Sequence, residues 1–238
     1  MTDSLISIII PVLNEAETVR ETLQALQPYR QAGHEVIVVD GGSHDKTIQQ
    51  ALSLADKILQ IEPGRARQMN EGAAYARHDI LLFLHSDTQL PARADAIILA
   101  ALGKPENVWG RFKLRLSSKK IMFRLIETTI NWRTFISGIA TGDQAIFIER
   151  EIFERVGCYD PIPLMEDVAL GKKLLKYARP CCLPQSVLSS SRRWEKHGIV
   201  KTIVLMWYLR TVYFFGADPA GLAKRYYKVQ KHQSADQF

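Results

Sequence analysis

Cysteine is scarce in this chain, which has 238 residues and only three cysteines, Cys158, Cys181 and Cys182. An odd number, with two of them adjacent, excludes a disulfide framework and a paired zinc-binding spacing. We therefore expect free thiols, as in a reducing cytosol. A signal peptide is not expected either, because the apolar run at residues 5–12 lacks a basic segment before it and has the length of a strand.

Three common motifs of nucleotide binding and hydrolysis are missing. The loop at residues 40–45 does not match the G-x-G-x-x-G of a dinucleotide site, and the sequence contains no G-x-x-x-x-G-K-[ST] phosphate loop. It also contains no G-x-S-x-G nucleophile elbow. These absences argue against a dinucleotide-dependent oxidoreductase, a P-loop NTPase and an α/β-hydrolase.

Excess positive charge is missing from most of the chain. Residues 191–238 contain nine Lys or Arg and three acidic residues, a difference of six that equals the whole formal net charge of +6. The first three-quarters is therefore close to neutral. A nucleic-acid-binding protein with basic residues spread along its length is not expected.

Strand and helix patterns alternate in the first half of the chain. Apolar runs of strand length occupy residues 5–12, 35–39, 57–61 and 79–84, and helical patterns follow them. Asn14 with Glu17 resembles a capping box that would open the first helix. Buried strands that alternate with helices predict an α/β fold, with a mostly parallel sheet covered by helices on both faces.

The regular alternation ends after Pro91. The patterns predict helices at residues 92–102, 121–135, 150–156 and 167–177, an exposed strand at 109–116, and a strand at 145–148. No internal repeat or linker interrupts the chain, so one continuous domain is expected. The last forty or so residues are predicted to be helical, apolar and basic.

The C-terminal apolar run at residues 199–216 is interrupted by Lys201 and Arg210. Its longest uncharged piece is shorter than the roughly 20 residues that span a bilayer. Two alternatives remain. The helices pack on the sheet domain or on a second subunit, or they lie in a membrane interface where basic residues meet anionic lipid, namely Lys224, Arg225, Lys228 and Lys231.

Acidic residues at strand and helix ends are the candidates for chemistry, since parallel sheets bind ligands at the carboxyl ends of their strands. Asp40 could accept hydrogen bonds from a ribose or a base, or only form the next turn. Asp87 could hold a divalent cation against a diphosphate, or form a Ser-Asp turn. Glu166 and Asp167 begin a helix, where the macrodipole favours acids, or they include a general base.

Several segments, in order, resemble family 2 glycosyltransferases of the GT-A fold. They are residues 7–15, 38–47, 64–72, 82–87, 142–144, 165–167 and 192–194. The similarity covers roughly residues 5 to 195. One departure is that His85 stands where the family's Asp-x-Asp motif has its first aspartate.

The resemblance implies a GT-A domain at residues 1–195, with a nucleotide-binding half at 1–88 and an acceptor half at 89–195. Residues 196–238 would form a C-terminal amphipathic helical segment. It implies Asp167 as the general base, Glu166 in support, and Mn²⁺ or Mg²⁺ on Asp87. The implied donor-side residues are Pro11, Asn14, Glu15, Asp40, Arg65, Asn70, His85 and Ser86. The implied acceptor-side residues are Gly142, Asp143, Gln144, Arg192, Arg193 and Trp194.

The expected function is therefore inverting transfer of a sugar from a UDP- or GDP-sugar to a hydroxyl acceptor, with a lipid-linked acceptor as one candidate. Two alternatives stay open: a sugar-1-phosphate nucleotidyltransferase, which normally has a Gly-rich loop at the position of residues 11–15, and a non-catalytic nucleotide-sugar-binding protein, which His85 motivates. The expected location is cytoplasmic. The C-terminal helices would then contact the cytoplasmic membrane face or form a homo-oligomer.

Overall fold

The computed structural model describes residues 4–226, without the side chains of Arg193, Lys196 and His197. Its first half alternates strands and helices, as predicted. The strands are β1 (Ile6–Val12), β2 (Glu35–Asp40), β3 (Lys57–Gln60) and β4 (Ile80–Phe83). The helices are α1 (Val19–Ala25), α2 (Gln27–Gln31), α3 (Thr47–Ala51) and α4 (Arg65–Tyr75). The strands lie in the order β3-β2-β1-β4 and are all parallel.

The second half extends the same sheet with strands of mixed direction. The strands are β5 (Thr88–Gln89), β6 (Trp109–Leu116), β7 (Ile146–Glu149) and β8 (Cys181–Ser189). The helices are α5 (Ala94–Leu102), α6 (Ile121–Ser137), α7 (Arg150–Arg155), α8 (Glu166–Leu174), α9 (Arg192–His197) and α10 (Ile199–Phe214), with a 3₁₀ turn at Gly142–Gln144. Residues 219–226 are also helical. The eight strands follow the order β3-β2-β1-β4-β7-β6-β8-β5, with β7 antiparallel to both of its neighbours.

Both faces of the sheet are buried, which explains the continuous apolar runs. Side chains of β1 alternate between two cores, with Ile8 and Ile10 in one and Ile9 in the other. Helices α1, α5 and α6 cover the first core, and α4, α7 and α8 cover the second. Helix α4 lies so close to β1 that a Cβ on Gly72 would meet Ile9 Cγ2 at 2.4 Å, and only glycine fits that contact.

Three local predictions were wrong. Asn14 does not cap α1, which begins at Val19, because its side chain accepts a hydrogen bond from the backbone N–H of His44 instead. The strand β8 was not predicted, since Pro184 within it is typical of a strand break. β6 is not an exposed strand: its first four residues are buried between neighbouring strands and only its second half alternates.

One face of α10 packs on the sheet domain. Leu209 of α10 and Leu222 form a small core with Met165, which precedes α8, as the first alternative for the C-terminal helices predicts. The other side of α10 carries exposed Val204, Trp207 and Phe214, and Phe215 just after the helix is exposed as well. None of the helices within residues 4–226 combines the length and the apolar content needed to cross a membrane. Lys228 and Lys231 lie outside the described residues.

Candidate functional site

The loops that follow the parallel strands meet at one edge of the sheet. The last residues of β1 and β2, Val12 and Asp40, are register partners, and β4 ends at Phe83 beside β1. β1 has β2 on one side and β4 on the other, so the order of the strands reverses at this point. Ligands of α/β sheets bind at such a reversal. Because β7 is antiparallel to β4, its first residue, Ile146, also lies at this edge.

The loops after β1 and β2 are joined by hydrogen bonds. Asn14 takes part in two of these bonds and has a left-handed backbone with φ of 54°. Four bonds connect the loops: Asn14 N–H to Ser43 Oγ (2.8 Å), Glu15 N–H to Thr47 Oγ1 (2.8 Å), Ala16 N–H to Asp45 Oδ2 (3.1 Å) and His44 N–H to Asn14 Oδ1 (2.9 Å). These bonds hold the two loops together as one wall beside the carboxyl ends of β1 and β2.

Asp40 is fully buried at the base of this wall. Its carboxylate accepts the N–H groups of Gly42 and Ser43, each at 2.9 Å, and the Ser43 hydroxyl at 2.5 Å. Pro11, two positions before the loop, is half-buried in β1. Sequence reasoning missed Gln68, whose side-chain amide donates to the carbonyls of Val12 and Val39 at 2.8 and 2.7 Å and so joins the two strand ends.

Arg192, predicted on the acceptor side, reaches the wall after β1. Its guanidinium pairs with Glu15 at 3.7 Å and also contacts Glu17. Trp194, of the same element, packs against the first core. The side chain of Arg193 is outside the described residues. The sequence spacing did not reveal that this basic element closes over the first loop.

The residues after β4 lie at the centre of the edge. Ser86 is buried, and its carbonyl accepts the Thr22 hydroxyl at 2.6 Å. The ring of His85 lies against Gly142, where an added Cβ would meet His85 Nε2 at 2.6 Å. Asp87 is partly exposed, and its backbone carbonyl accepts the N–H of Ser190 at 3.1 Å.

A divalent cation would find few protein ligands here. Within residues 4–226, no group of three or more His, Cys, Asp or Glu side chains is placed to hold a metal. The partly exposed carboxylate of Asp87 still fits Mg²⁺ or Mn²⁺, because such ions are held by one or two carboxylates together with substrate phosphates and water. The donor set therefore fits a metal that arrives with a diphosphate and does not fit a permanent protein cage.

The acids of the second half adjoin His85 through the 3₁₀ turn. The N–H of Gly142 donates to Asp167 Oδ2 at 3.0 Å, and the Thr141 hydroxyl donates to Asp143 Oδ1 at 2.6 Å. Burial raises the pKa of Asp143, while the Thr141 hydrogen bond and the charge of Arg210 lower it. Gly142 thus lies against His85 on one side and donates a hydrogen bond to Asp167 of α8 on the other.

Glu166 has a pKa well above that of an ordinary glutamate. It is buried in the first turn of α8, and burial together with the charge of Asp167 raises the pKa of Glu166 to about 7, against the lowering effect of Arg65. Arg65 Nη1 lies 4.0 Å from Glu166 Oε1 and remains nearly half exposed at the start of α4. The preceding residue, Met165, has a left-handed backbone with φ of 69°. Such strain persists only where packing imposes it, and α10 covers this residue.

Two predicted site residues serve the framework. Asn70 holds the backbone of Tyr159 through both its amide atoms, at 2.9 and 3.0 Å. Gln144 is fully buried and accepts hydrogen bonds from the Thr141 N–H and the Thr134 hydroxyl at 3.1 and 2.9 Å. Both side chains are therefore engaged within the protein.

Two arginines that sequence reasoning missed, Arg133 and Arg210, lie near Asp143 and Asp167. Arg133 of α6 donates to Thr141 Oγ1 at 3.3 Å. Burial and the charge of Arg210 lower the pKa of Arg133 to about 10, although Asp143 and Asp167 raise it. Arg210 belongs to α10, so the C-terminal helix contributes charge to the site. The only sequence signal was that Arg210 interrupts an apolar run.

Comparison with known proteins identifies the family of this chain. The model of the family described as glycosyl transferase family 2 matches residues 7–157. The poly-beta-1,6-N-acetyl-D-glucosamine synthase of Staphylococcus epidermidis is 24% identical over 186 residues, which cover 71% of this chain and 45% of that protein. The chain thus spans about half the length of this relative.

Solved structures show the same fold. S. aureus TarS in complex with UDP is 18% identical, with a TM-score of 0.61 over 78% of this chain and 60% of that one. The mannosyltransferase PcManGT from Pyrobaculum calidifontis, in complex with GDP-Man and Mn²⁺, is 19% identical. Its TM-score is 0.61 over 96% of this chain and 69% of that one. The predicted GT-A fold is confirmed.

Proposed function

Because this chain belongs to glycosyl transferase family 2, we propose that it transfers a sugar from a UDP- or GDP-sugar to a hydroxyl group of an acceptor. The observation that carries the proposal is the continuous contact from His85 through Gly142 to Asp167, which joins the donor edge of the sheet to an acid. The match to a transferase family favours this function over a nucleotidyltransferase or a non-catalytic binding protein.

The nucleoside diphosphate would lie along the wall formed by the loops after β1 and β2. Asp40, with its oxygens engaged in the loop, would shape that wall. Arg65 would meet the diphosphate, since its guanidinium is partly exposed at the start of α4, where the helix dipole also favours an anion. Arg192 would hold the wall through Glu15.

A divalent ion, Mn²⁺ or Mg²⁺, would be held by Asp87 together with the diphosphate and would neutralise charge on the departing group. The complex of PcManGT with GDP-Man and Mn²⁺ supports this assignment by similarity of fold. His85 would position the turn at Gly142 and would not need to replace the missing aspartate as a ligand.

Asp167 would act as the general base. Its Oδ2 is oriented by the Gly142 N–H, and the carboxylate is partly exposed toward the edge. It would remove the proton of the acceptor hydroxyl while that oxygen bonds to the anomeric carbon. The bond from this carbon to the diphosphate oxygen then breaks on the opposite side, so the configuration inverts. Glu166 would support the base because its raised pKa of about 7 leaves it about half protonated at pH 7, which reduces the charge next to Asp167.

The acceptor would approach from the half of the domain formed by residues 89–195, beside Asp143 and the 3₁₀ turn. We further propose that the C-terminal helical segment, residues 196–238, holds this domain at the cytoplasmic face of a membrane. Its partly exposed apolar helix and its basic residues support that location. If the acceptor were soluble, or if this segment formed a homo-oligomer, the apolar side of the helix and the basic residues would not need to face lipid.

The test is Asp167→Asn. Loss of a general base should lower turnover by about 100-fold or more, while affinity for the nucleotide changes little. Single-turnover transfer and calorimetric titration with UDP and GDP separate the two effects. Glu154→Gln, an exposed acid of α7, is the matched control. Normal turnover by Asp167→Asn would assign the base to another group, of which Glu166 is the nearest.

A further inference from the structure

Helices α6 and α10 contribute residues to one cavity. Lys120, just before α6, pairs at 3.4 Å with Glu195 of α9, the helix that precedes α10. About two turns into each helix, residues of both line this cavity, which has a volume of about 500 Å³. It is formed by Thr128, Ile130, Trp132 and Arg133 of α6 with Trp207 and Arg210 of α10.

The cavity combines aromatic walls with a cationic lining. Trp132 and Trp207 are 68% and 62% exposed, which is unusual for two tryptophans at one opening. The charged residues of the lining are Arg133 and Arg210, and no acid of the described chain is among them. An occupant with one anionic group and an apolar part would match both features.

The two arginines lack partners for part of their hydrogen-bonding capacity. Within the described residues, the Nε atoms of Arg133 and Arg210 are buried and donate to no acceptor. The two positive charges also oppose each other, because Arg210 lowers the pKa of Arg133. Asp143 and Asp167 act in the opposite direction, but burial and Arg210 have the larger effect, and the pKa of Arg133 is lowered to about 10. An anion between the guanidinium groups would satisfy donors and relieve the repulsion.

The cavity is connected to the proposed base by two hydrogen bonds. Arg133 donates to the Thr141 hydroxyl, and the next residue, Gly142, donates its N–H to Asp167. Away from this side, the apolar surface continues along both helices. It consists of Ile121, Leu125, Phe135 and Ile136 of α6 with Val200 and Val204 of α10, all more than half exposed. Exposed apolar surface of this extent marks a binding face.

We propose that this cavity binds the acceptor substrate, and that the acceptor is an amphiphile with an anionic group next to an apolar chain. Arg133 and Arg210 bind the anion, Trp132 and Trp207 contact the first part of the chain, and the remainder follows the exposed faces of α6 and α10. This inference rests on the proposed sugar transfer, because it places the acceptor hydroxyl near Asp167.

The probe is decyl phosphate, used below its micellar concentration and titrated calorimetrically into the full chain. We expect it to bind at least about tenfold more tightly than either decanol or inorganic phosphate, since each of those offers only one of the two interactions. Binding of inorganic phosphate equal to that of decyl phosphate would show that the apolar walls do not take part and would overturn the proposal.

Variants locate the probe. Arg210→Gln should weaken binding by about tenfold or more, whereas Lys201→Gln, the same kind of change on an exposed residue of α10, should alter it less than about twofold. Thr129 also lines the cavity, at an exposed position. Thr129→Phe fills the cavity and should also abolish binding, so the test does not depend on the arginine variant folding. Equal binding by all variants would mean adsorption to the surface and would refute the site.

Nucleotide titration of the same proteins separates this inference from the proposed function. Arg210→Gln should bind UDP or GDP with Mn²⁺ as the unchanged chain does. A chain that binds decyl phosphate but neither nucleotide refutes the sugar transfer and leaves only an amphiphile site. A chain that binds nucleotide but not decyl phosphate refutes the acceptor site alone.

Discussion

The free energy of unfolding of Glu166→Gln, relative to that of the unchanged protein, should increase as the pH rises. Glu166 is buried in the first turn of α8, beside Asp167 and 4.0 Å from Arg65. Burial and the charge of Asp167 raise the pKa of Glu166 from 4.5 to about 7. In the unfolded chain this carboxyl titrates near its ordinary value, so folding takes up a proton between these two pH values.

The size of the effect follows from this shift. A pKa raised from 4.5 to about 7 corresponds to about 3 kcal/mol of unfavourable free energy for the ionised carboxylate in the folded protein. Below pH 4.5 Glu166 is protonated in both states and imposes no penalty. As the pH rises through 7, that favourable proton uptake is lost and the full penalty applies. Glutamine has no such dependence, and the raised pKa already includes the lowering effect of Arg65.

The assay is urea unfolding of both proteins at several pH values from 4 to 8.5. The free energy of unfolding of Glu166→Gln minus that of the unchanged protein should increase by about 3 kcal/mol between pH 4 and pH 8. A constant difference, of either sign, would reflect packing alone and would refute the assigned pKa. Glu154→Gln, the same change at an exposed position, is the matched control.

Three further outcomes follow from the contacts of the site. Asp87→Asn should abolish the Mn²⁺ dependence of UDP or GDP binding without lowering the unfolding temperature. If calorimetry with and without Mn²⁺ shows that the dependence persists in this variant, Asp87 does not hold the metal. Gly142→Ala should cost about 1–3 kcal/mol in urea unfolding, because its Cβ would meet the His85 ring at 2.6 Å, whereas Gly221→Ala, with 3.7 Å of room, should cost less. Salt-sensitive sedimentation with phosphatidylserine vesicles should fall severalfold in Phe215→Ser, and equal sedimentation would place the exposed end of α10 away from lipid.

The parallel half of the fold could be predicted from local sequence. β1, β2 and β4 are short runs of Ile, Val and Leu, and a strand covered on both faces requires such a run wherever it occurs. The polar residues after these runs then had to meet at one edge, because parallel strands end on the same side. Asp40, Asp87 and Arg65 could be placed there before any contact was known.

Tertiary structure decided what local patterns could not express. Asn14 has the local sequence of a helix cap, yet a hydrogen bond from His44 holds it in a left-handed conformation. β8 exists because β6 and β5 pair with it, despite Pro184. Such pairings join residues far apart in sequence, and no local periodicity records them.

The electrostatic character of the site was also decided by packing. An acid at the start of a helix is ordinary in sequence, and the raised pKa of Glu166 arises only when α8 is buried beside α4 and α10. Arg133 and Arg210 are 77 positions apart and become neighbours only when the fold brings α6 and α10 to one cavity. The sequence alone determined which residues could ionise; the tertiary structure determined their desolvation and their charged neighbours, because both depend on distances in space.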